Sequence, residues 1–290
     1  MSTARNATPT GLLGDTSARD YSRKLQLFNA FAAPELRQAI AGLGLRPGMR
    51  VLDAGCGTGE ALGWLNEAVS PGGEVVGIDL AAAHVAAARA QAPGGVLVLQ
   101  ADVRQTPLPP RSVDLVWSVN AINHLREPLE GVRALTALLR PGGRIALGQS
   151  AFLPDMLFAW DARLERVTNE AVYRYYRDRY SLEELELADT RALVGLLRRV
   201  PLQNVRARTF VIERLTPLGP ADETYLLEAV FRGTWGERLR KYLSAPDFEA
   251  LTRLCDPRRA SFALRRPDFH FLQTFTLVVG KLPEPSLATS

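Results

Sequence analysis

Short apolar runs alternate with longer amphipathic stretches along the first half of the chain. The apolar runs predict strands at 49–55, 74–79, 96–100, 113–119 and 143–149. The stretches between them place apolar residues at helical spacing and predict helices over 58–69, 81–91 and 127–139. Strands that alternate with helices are typical of a parallel, doubly wound α/β sheet. Such sheets bind ligands beyond the carboxyl ends of their strands.

The turn between the first strand and the first helix is rich in glycine. Gly55, Gly57 and Gly59 have no Cβ, so a ligand can approach the backbone closely here. A dinucleotide-binding fingerprint needs its third glycine three residues after the second, and this turn has a shorter spacing. A phosphate-binding P-loop needs a lysine at its end, which the turn lacks. The turn therefore predicts a ligand site, but one for neither NAD nor a nucleoside triphosphate.

Together with Asp53, the three glycines read D-x-G-x-G-x-G. This pattern resembles motif I of the class I methyltransferases that depend on S-adenosylmethionine (SAM). Later segments follow in the order of that family: strands ending in Asp79 and Asp102, a strand over 113–119, and a segment that resembles L-x-P-G-G-x-L over 138–147. The resemblance covers residues 49 to 150.

The resemblance implies a Rossmann-like methyltransferase fold with a seven-stranded, mostly parallel sheet and helical lid insertions. Two further strands are then expected at 204–214 and 270–280, and this last pair is expected to be antiparallel. The implied cofactor is SAM, and the implied activity is methyl transfer.

Several residues are candidates for holding the cofactor. Asp79 ends a strand, and an ionised carboxylate there can accept hydrogen bonds from both ribose hydroxyls of an adenosine. By resemblance, Asp102 would bind the adenine amine, Val103 would pack beside the ring, and Asn120 would flank the methionine moiety. Tyr21 would close over the cofactor, although Tyr21 also fits one apolar stripe of a helix. The expected cofactor-binding residues are Tyr21, Asp53, Ala54, Gly55, Gly57, Gly59, Asp79, Leu80, Asp102, Val103 and Asn120.

The remaining segments are read as additions to the core. We expect an N-terminal helical cap segment at 1–48, a SAM-binding core at 49–153, and a helical lid insertion with the last core helix at 154–203. The final strands, with a second helical insertion at about 216–268, are expected at 204–282, and a flexible tail at 283–290. In this family the substrate specificity usually resides in such additions.

The first insertion interleaves aromatic residues with arginines. These aromatics either pack on the core or line an apolar acceptor pocket gated by arginine, because pockets are mostly apolar with a few polar groups. The candidate substrate-binding residues are Phe158, Trp160, Tyr173, Tyr176, Arg177, Tyr180 and Trp235.

Methyl transfer from a sulfonium needs alignment of the reacting atoms and exclusion of water. A general base is needed only for some acceptors. His124 lies just past the fourth strand and is the candidate base, while a structural role at the start of the next helix is the alternative.

Composition restricts the remaining possibilities. The chain has 290 residues, 47% of them hydrophobic, which is enough for a sizeable core. The two cysteines, Cys56 and Cys255, indicate neither a disulfide framework nor a metal cluster, so no metal is expected and a reducing cytoplasm is the expected location. We expect no membrane span and no secretion signal. The net charge of +4 is scattered, and no nucleic-acid partner is expected.

The sequence thus predicts a cytoplasmic methyltransferase, monomeric or homodimeric, that methylates oxygen or carbon of a small hydrophobic or aromatic molecule. The resemblance points to quinone biosynthesis or secondary metabolism of the natural-product type. The arginines leave open an anionic amphiphile, such as a prenyl diphosphate or a lipid acid, as the acceptor. A nucleic-acid methyltransferase and a non-catalytic SAM-binding protein remain further hypotheses for the same motifs.

Overall fold

The computed structural model describes residue 18 and residues 20–151, 153–182 and 189–284, with the side chains of 189–191 left out. The first seventeen residues and the end of the expected tail, 285–290, lie outside this part, as do positions 183–188 of the first insertion. Its strands are β1 Arg50–Ala54, β2 Glu74–Asp79, β3 Leu97–Gln100, β4 Val113–Val119, β5 Leu139–Ser150, β6 Met156–Leu157, β7 Gln203–Leu215 and β8 His270–Lys281. Its α-helices are α1 Ser22–Phe31, α2 Ala33–Ala41, α3 Glu60–Val69, α4 Ala82–Gln91, α5 Pro128–Ala137, α6 Ala162–Tyr180, α7 Asp189–Arg198, α8 Pro220–Tyr225 and α9 Ala245–Cys255.

The described strands form one eight-stranded sheet in the order β3-β2-β1-β4-β5-β8, with β7 on the outer side of β8. The first five strands are parallel, and β8 runs antiparallel to both β5 and β7. The predicted α/β sheet and its antiparallel final pair are therefore confirmed. The chain passes from β1 outward to β3 and then returns to β4 beside β1. Ligands of doubly wound sheets bind at this kind of switch point.

The sheet is buried on both faces. Val51 belongs to one hydrophobic cluster and its neighbour Leu52 to the other, because successive side chains of a strand point to opposite faces. Leu115 and Val116 on β4 divide between the clusters in the same way. Continuous apolar runs in the sequence follow from this double burial.

Two details of the sheet differ from the expectation. The sequence predicts seven strands, and the eighth is the two-residue β6, which pairs antiparallel with the first residues of β8. A strand this short leaves little periodic pattern to read. The fifth strand also begins at Leu139 rather than at 143, because Leu139 pairs with Val113 and the Pro-Gly-Gly segment is contained in the strand.

The segments before and after the parallel strands carry additional helices. Before the first strand lie α1 and α2, and α6 follows β6. Between β7 and β8, α8 continues directly into a π-helix over Leu226–Thr234, and α9 follows. In the described part of the chain, no helix combines the length and apolar character needed to cross a membrane.

Candidate active site

A cavity opens at the switch point, at the carboxyl ends of β1, β2 and β4, and α1 lies against it. Nine of the eleven expected cofactor-binding residues line the cavity, and so does His124. The nine are Tyr21, Asp53, Gly55, Gly57, Asp79, Leu80, Asp102, Val103 and Asn120. Residues from separate strand ends and from the N-terminal segment therefore come together at one place.

The glycine-rich turn is held against β2 by its own backbone. The N–H groups of Gly55 and Cys56 both donate to the carbonyl of Ile78, at 2.8 and 2.9 Å. Gly57 has φ +53°, and a Cβ on it would approach Cδ1 of Leu25 on α1 at 3.1 Å. The turn therefore lines the cavity with glycines that have no Cβ, and Leu25 of α1 lies close to Gly57.

Asp79 is the centre of a hydrogen-bond cluster. Its Oδ2 accepts from the N–H of Gly57 at 2.9 Å, and its Oδ1 accepts from the N–H of Ala81 at 2.9 Å. Nδ1 of His84 lies 3.1 Å from the same Oδ1. The carboxylate is fixed in orientation by these contacts, at the edge of the cavity.

Asp53 is a buried acid at the floor of the cavity. Its side chain is almost fully buried, and its Oδ2 has no hydrogen-bond partner among the described residues. Burial, followed by the charges of Asp79 and Glu60, raises the pKa of Asp53 to about 8. A cationic ligand group placed beside Asp53 would compensate both the burial and the like charges.

Asp102 is paired with Arg104, which also lines the cavity. Nη2 of Arg104 donates to Oδ2 of Asp102 at 2.6 Å and its Nε donates to Oδ1 at 3.0 Å. Hydrogen bonding to Arg104 lowers the pKa of Asp102. The carboxylate is therefore ionised and accepts hydrogen bonds at neutral pH.

The side chain of Asn120 is hydrogen-bonded to Ser150 at the end of β5. Its Oδ1 accepts from the N–H of Ser150 at 2.8 Å, and its Nδ2 donates to the hydroxyl of Ser150 at 3.3 Å. Asn120 also has φ +53°, a left-handed conformation that is uncommon outside glycine. The residue thus shapes the cavity wall at the end of β4. His124 follows at the end of a short 3₁₀-helix, Ile122–His124.

Two expected cofactor-binding residues do not line the cavity. Ala54 is fully buried in β1, where its carbonyl accepts from the hydroxyl of Ser118 at 2.6 Å. Gly59 precedes α3, and a Cβ on it would lie 2.8 Å from Cβ of Ala88 on α4. The close packing of α4 therefore accounts for this glycine.

The seven candidate substrate-binding residues lie away from the cavity. Trp160 and Trp235 are buried and pack together with ring centroids 5.0 Å apart, and Tyr176 is buried with its ring 5.8 Å from that of Tyr180. Phe158, Trp160 and Tyr173 line a separate groove beside α6. Arg177 lies on α6 near its carboxyl end, and neither lining contains it. Trp160, Tyr176 and Trp235 therefore pack in the core, whereas Phe158 and Tyr173 are exposed beside the groove.

The cavity contains residues that the sequence pattern does not mark as site residues. They include Phe28 and Leu25, which α1 presents at helical spacing, together with His84 and Arg104. His84 and Arg104 come five and two residues after the acids that they contact. This short spacing from an acid at the end of a strand is the signal by which the sequence could have identified the two residues. Burial raises the pKa of the Cys56 thiol, which fits its packing role in the turn.

Comparison with known proteins agrees with this geometry. A family model described as a methyltransferase domain matches residues 52–147. Malonyl-[acyl-carrier protein] O-methyltransferase of Pseudescherichia vulneris is 30% identical over 194 residues, which are 62% of this chain and 75% of that protein. 27-O-demethylrifamycin SV methyltransferase of Amycolatopsis mediterranei is 33% identical over 43% of this chain and 47% of that protein. The YcgJ protein of Bacillus subtilis shares the fold at a TM-score of 0.52 and 17% identity, over 91% of this chain and 99% of that one.

These findings define the class of protein. The chain belongs to the family of SAM-dependent methyltransferases. It spans about half or less of the length of several curated relatives that it matches.

The residues that line the cavity fit SAM. Asp53 is a buried carboxyl without a partner among the described residues, and SAM carries an ammonium and a sulfonium. The glycine-rich turn lines the cavity with Gly55 and Gly57, which have no Cβ, and Asp79 and Asp102 offer acceptors to hydroxyl and amine donors. Among the described residues, no group of three or more His, Cys, Asp or Glu could hold a metal ion.

Proposed function

We propose that this protein methylates oxygen or carbon of a small hydrophobic or aromatic molecule, using SAM. The single observation that carries the proposal is the convergence of the glycine-rich turn, three acids and His124 on one apolar cavity. The relatives support the acceptor class, since the similar enzyme of Amycolatopsis mediterranei is named for a rifamycin substrate.

In this proposal each of the three acids binds a different part of SAM. Asp53 faces the positively charged groups, Asp79 accepts from a ribose hydroxyl, and Asp102 accepts from the adenine amine. Val103 and Leu80 pack beside the adenine and ribose, while Asn120 and Tyr21 border the cavity. When bound, SAM supplies the electrophilic methyl group of an in-line displacement.

The acceptor is proposed to lie against the apolar part of the same cavity. Phe28 and Leu25 on α1 face this space, as do Trp117 on β4 and Leu125 after the 3₁₀-helix. Apolar walls exclude water from the reacting atoms and favour a hydrophobic guest. The arginine among the described lining residues is Arg104, which is paired with Asp102, so the cavity supplies little for an anionic head group.

His124 is the proposed general base for acceptors that must lose a proton. It is half-buried and lines the cavity beside Ala121 and Leu125, past the end of β4. A proton can pass directly from the acceptor to the imidazole when the two are in hydrogen-bond contact.

A calorimetric titration tests the proposal. The protein is titrated with SAM and with S-adenosylhomocysteine, and the titration is repeated with phenols, quinone precursors and prenyl diphosphates. We expect micromolar cofactor binding that a phenol or quinone precursor tightens, with methylated product detected by mass spectrometry. Tightening by a prenyl diphosphate alone would favour the amphiphile instead, and no cofactor binding would overturn the proposal.

A further inference from the structure

His84 is bonded through both nitrogens of its ring. It lies on α4, is only 7% exposed and lines the cavity. Nε2 accepts a hydrogen bond from the backbone N–H of Tyr21 at 3.0 Å, and Nδ1 lies 3.1 Å from Oδ1 of Asp79. The side chain thus links the residue before α1 to the acid at the end of β2.

The two contacts define the state of the ring. A backbone N–H can only donate, so Nε2 carries the lone pair in this arrangement. The other nitrogen of a neutral imidazole carries the proton, and therefore Nδ1 of His84 donates to Asp79. A charged ring, with donors at both nitrogens, would lose the contact to Tyr21.

The bond from His84 also limits how Asp79 can turn. A carboxylate offers about four acceptor positions. The N–H groups of Gly57 and Ala81, together with His84, occupy three of them. The remaining position lies on Oδ2 and is available to a hydroxyl donor in the cavity.

The other contact of His84, to Tyr21, is at the start of α1, and this helix lies across the glycine-rich turn. Leu25 comes within contact of the position that a Gly57 side chain would take, and Nδ2 of Asn29 donates to Oε2 of Glu60 at 2.7 Å. The hydrogen bond from Tyr21 to His84 holds the start of this helix at the edge of the cavity.

We infer that His84 is a positioning residue that couples closure of α1 over the cavity to the orientation of Asp79. Cofactor affinity then depends on both of its hydrogen bonds. The inference rests on the proposed function, because it assigns Asp79 to the ribose.

Three substitutions separate the two bonds. His84→Asn keeps a donor near Nδ1 and loses the acceptor for Tyr21, whereas His84→Gln places an acceptor near Nε2 and loses the donor to Asp79. His84→Ala removes both. His270→Ala is the matched control, because His270 also contacts a carboxylate, that of Glu213, on the distant pair β7 and β8.

Affinity for S-adenosylhomocysteine is measured by calorimetry, and hydrogen exchange of the amides of 22–31 is measured with and without it. We expect His84→Ala to weaken binding about tenfold or more, because this is the effect of losing one charge-assisted hydrogen bond. We also expect it to accelerate exchange in α1. Exchange in α1 should be accelerated in the Asn variant, as in the Ala variant, but not in the Gln variant. Both the Asn and the Gln variant should bind S-adenosylhomocysteine more tightly than the Ala variant does. The control should change neither quantity.

Unchanged exchange in α1 in both the Ala and Asn variants would overturn the coupling, as would affinity within twofold of wild type in all three. If His84→Ala does not fold, the Asn and Gln variants still give the contrast. If the wild-type protein does not bind S-adenosylhomocysteine, the proposed function fails instead. The exchange comparison without ligand then still tests the link between His84 and α1.

Discussion

Gly57 donates its backbone N–H to Oδ2 of Asp79 across 2.9 Å, so the turn after β1 and the acid that ends β2 form one unit. The bond runs between neighbouring parallel strands and lies at the edge of the cavity. A change in either residue therefore affects a surface to which both contribute.

The first prediction concerns the acid. Asp79→Ala should weaken binding of S-adenosylhomocysteine by about 1.5 to 3 kcal/mol, because it removes a charge-assisted hydrogen bond to the ribose. Calorimetry measures the change, and Asp268→Asn, at an exposed ion pair with Arg266, is the control. Unchanged affinity in the Asp79 variant would show that the ribose lies elsewhere.

Two glycines of the turn should respond differently to alanine. Gly59→Ala places a Cβ 2.8 Å from Ala88 at φ +93°, and we expect a loss of about 2 to 4 kcal/mol in the free energy of unfolding. Gly57→Ala meets only the flexible end of Leu25 at 3.1 Å, so the loss should be about 1 kcal/mol. Chemical denaturation measures both.

Ligand binding provides the complementary measurement for these variants. Gly57 lines the cavity and Gly59 does not. Gly57→Ala should therefore lose more affinity for S-adenosylhomocysteine than Gly59→Ala, the reverse of the order in stability. The same order in both measurements would mean that the turn contributes to folding alone.

The positions of the parallel strands along the chain were predictable, because strands buried on both faces are continuous apolar runs in the sequence. β6 was not, since two residues carry no period. The convergence of Asp53, Asp79 and Asp102 was also predictable, because parallel strands end at one edge of a sheet. A tertiary contact such as that of Tyr21 with His84, 63 residues apart, has no local signal.

The acceptor-binding residues are harder to predict from the sequence. Trp160 and Trp235 carry a sequence pattern that suits either a core or a pocket. Their burial depends on tertiary packing, in which Trp160 contacts Phe231 of the π-helix and Trp235 just after it. The apolar lining that the cavity does have comes partly from Phe28 and Leu25, which the sequence shows only as one helical stripe.

A third prediction tests His124 as general base. With an acceptor that must be deprotonated, His124→Asn should lower kcat about a hundredfold or more, because proton transfer to a placed base contributes that much. Affinity for SAM should stay within about twofold. Steady-state kinetics and calorimetry measure the two quantities, with His270→Asn as control. An unchanged kcat would assign the residue to structure.

The fourth prediction is the effect of Asp53 on stability. Its pKa is raised from 3.8 when unfolded to about 8 in the folded protein, so the folded state holds a proton that the unfolded state releases. The stability that this carboxyl contributes is full below about pH 4 and is lost as the pH rises to about 8. Asp53→Asn removes this dependence. Without ligand, the free energy of unfolding of the variant relative to that of wild type should rise by at least about 1.4 kcal/mol between pH 5 and pH 8. Urea denaturation measures it. A constant difference across that range would contradict the raised pKa.

The same carboxyl predicts that cofactor binding releases a proton. At pH 7, below its pKa of about 8, Asp53 is protonated in the absence of ligand. A positively charged ammonium placed beside it favours the ionised form, so up to one proton should leave on binding. Calorimetry of S-adenosylhomocysteine in phosphate and in Tris, whose ionisation enthalpies differ, counts the released protons. The wild-type protein should release more than Asp53→Asn at pH 7, and the difference should vanish near pH 10, where the wild-type carboxyl is already ionised. Equal release by both proteins at pH 7 would mean that the ammonium does not face Asp53.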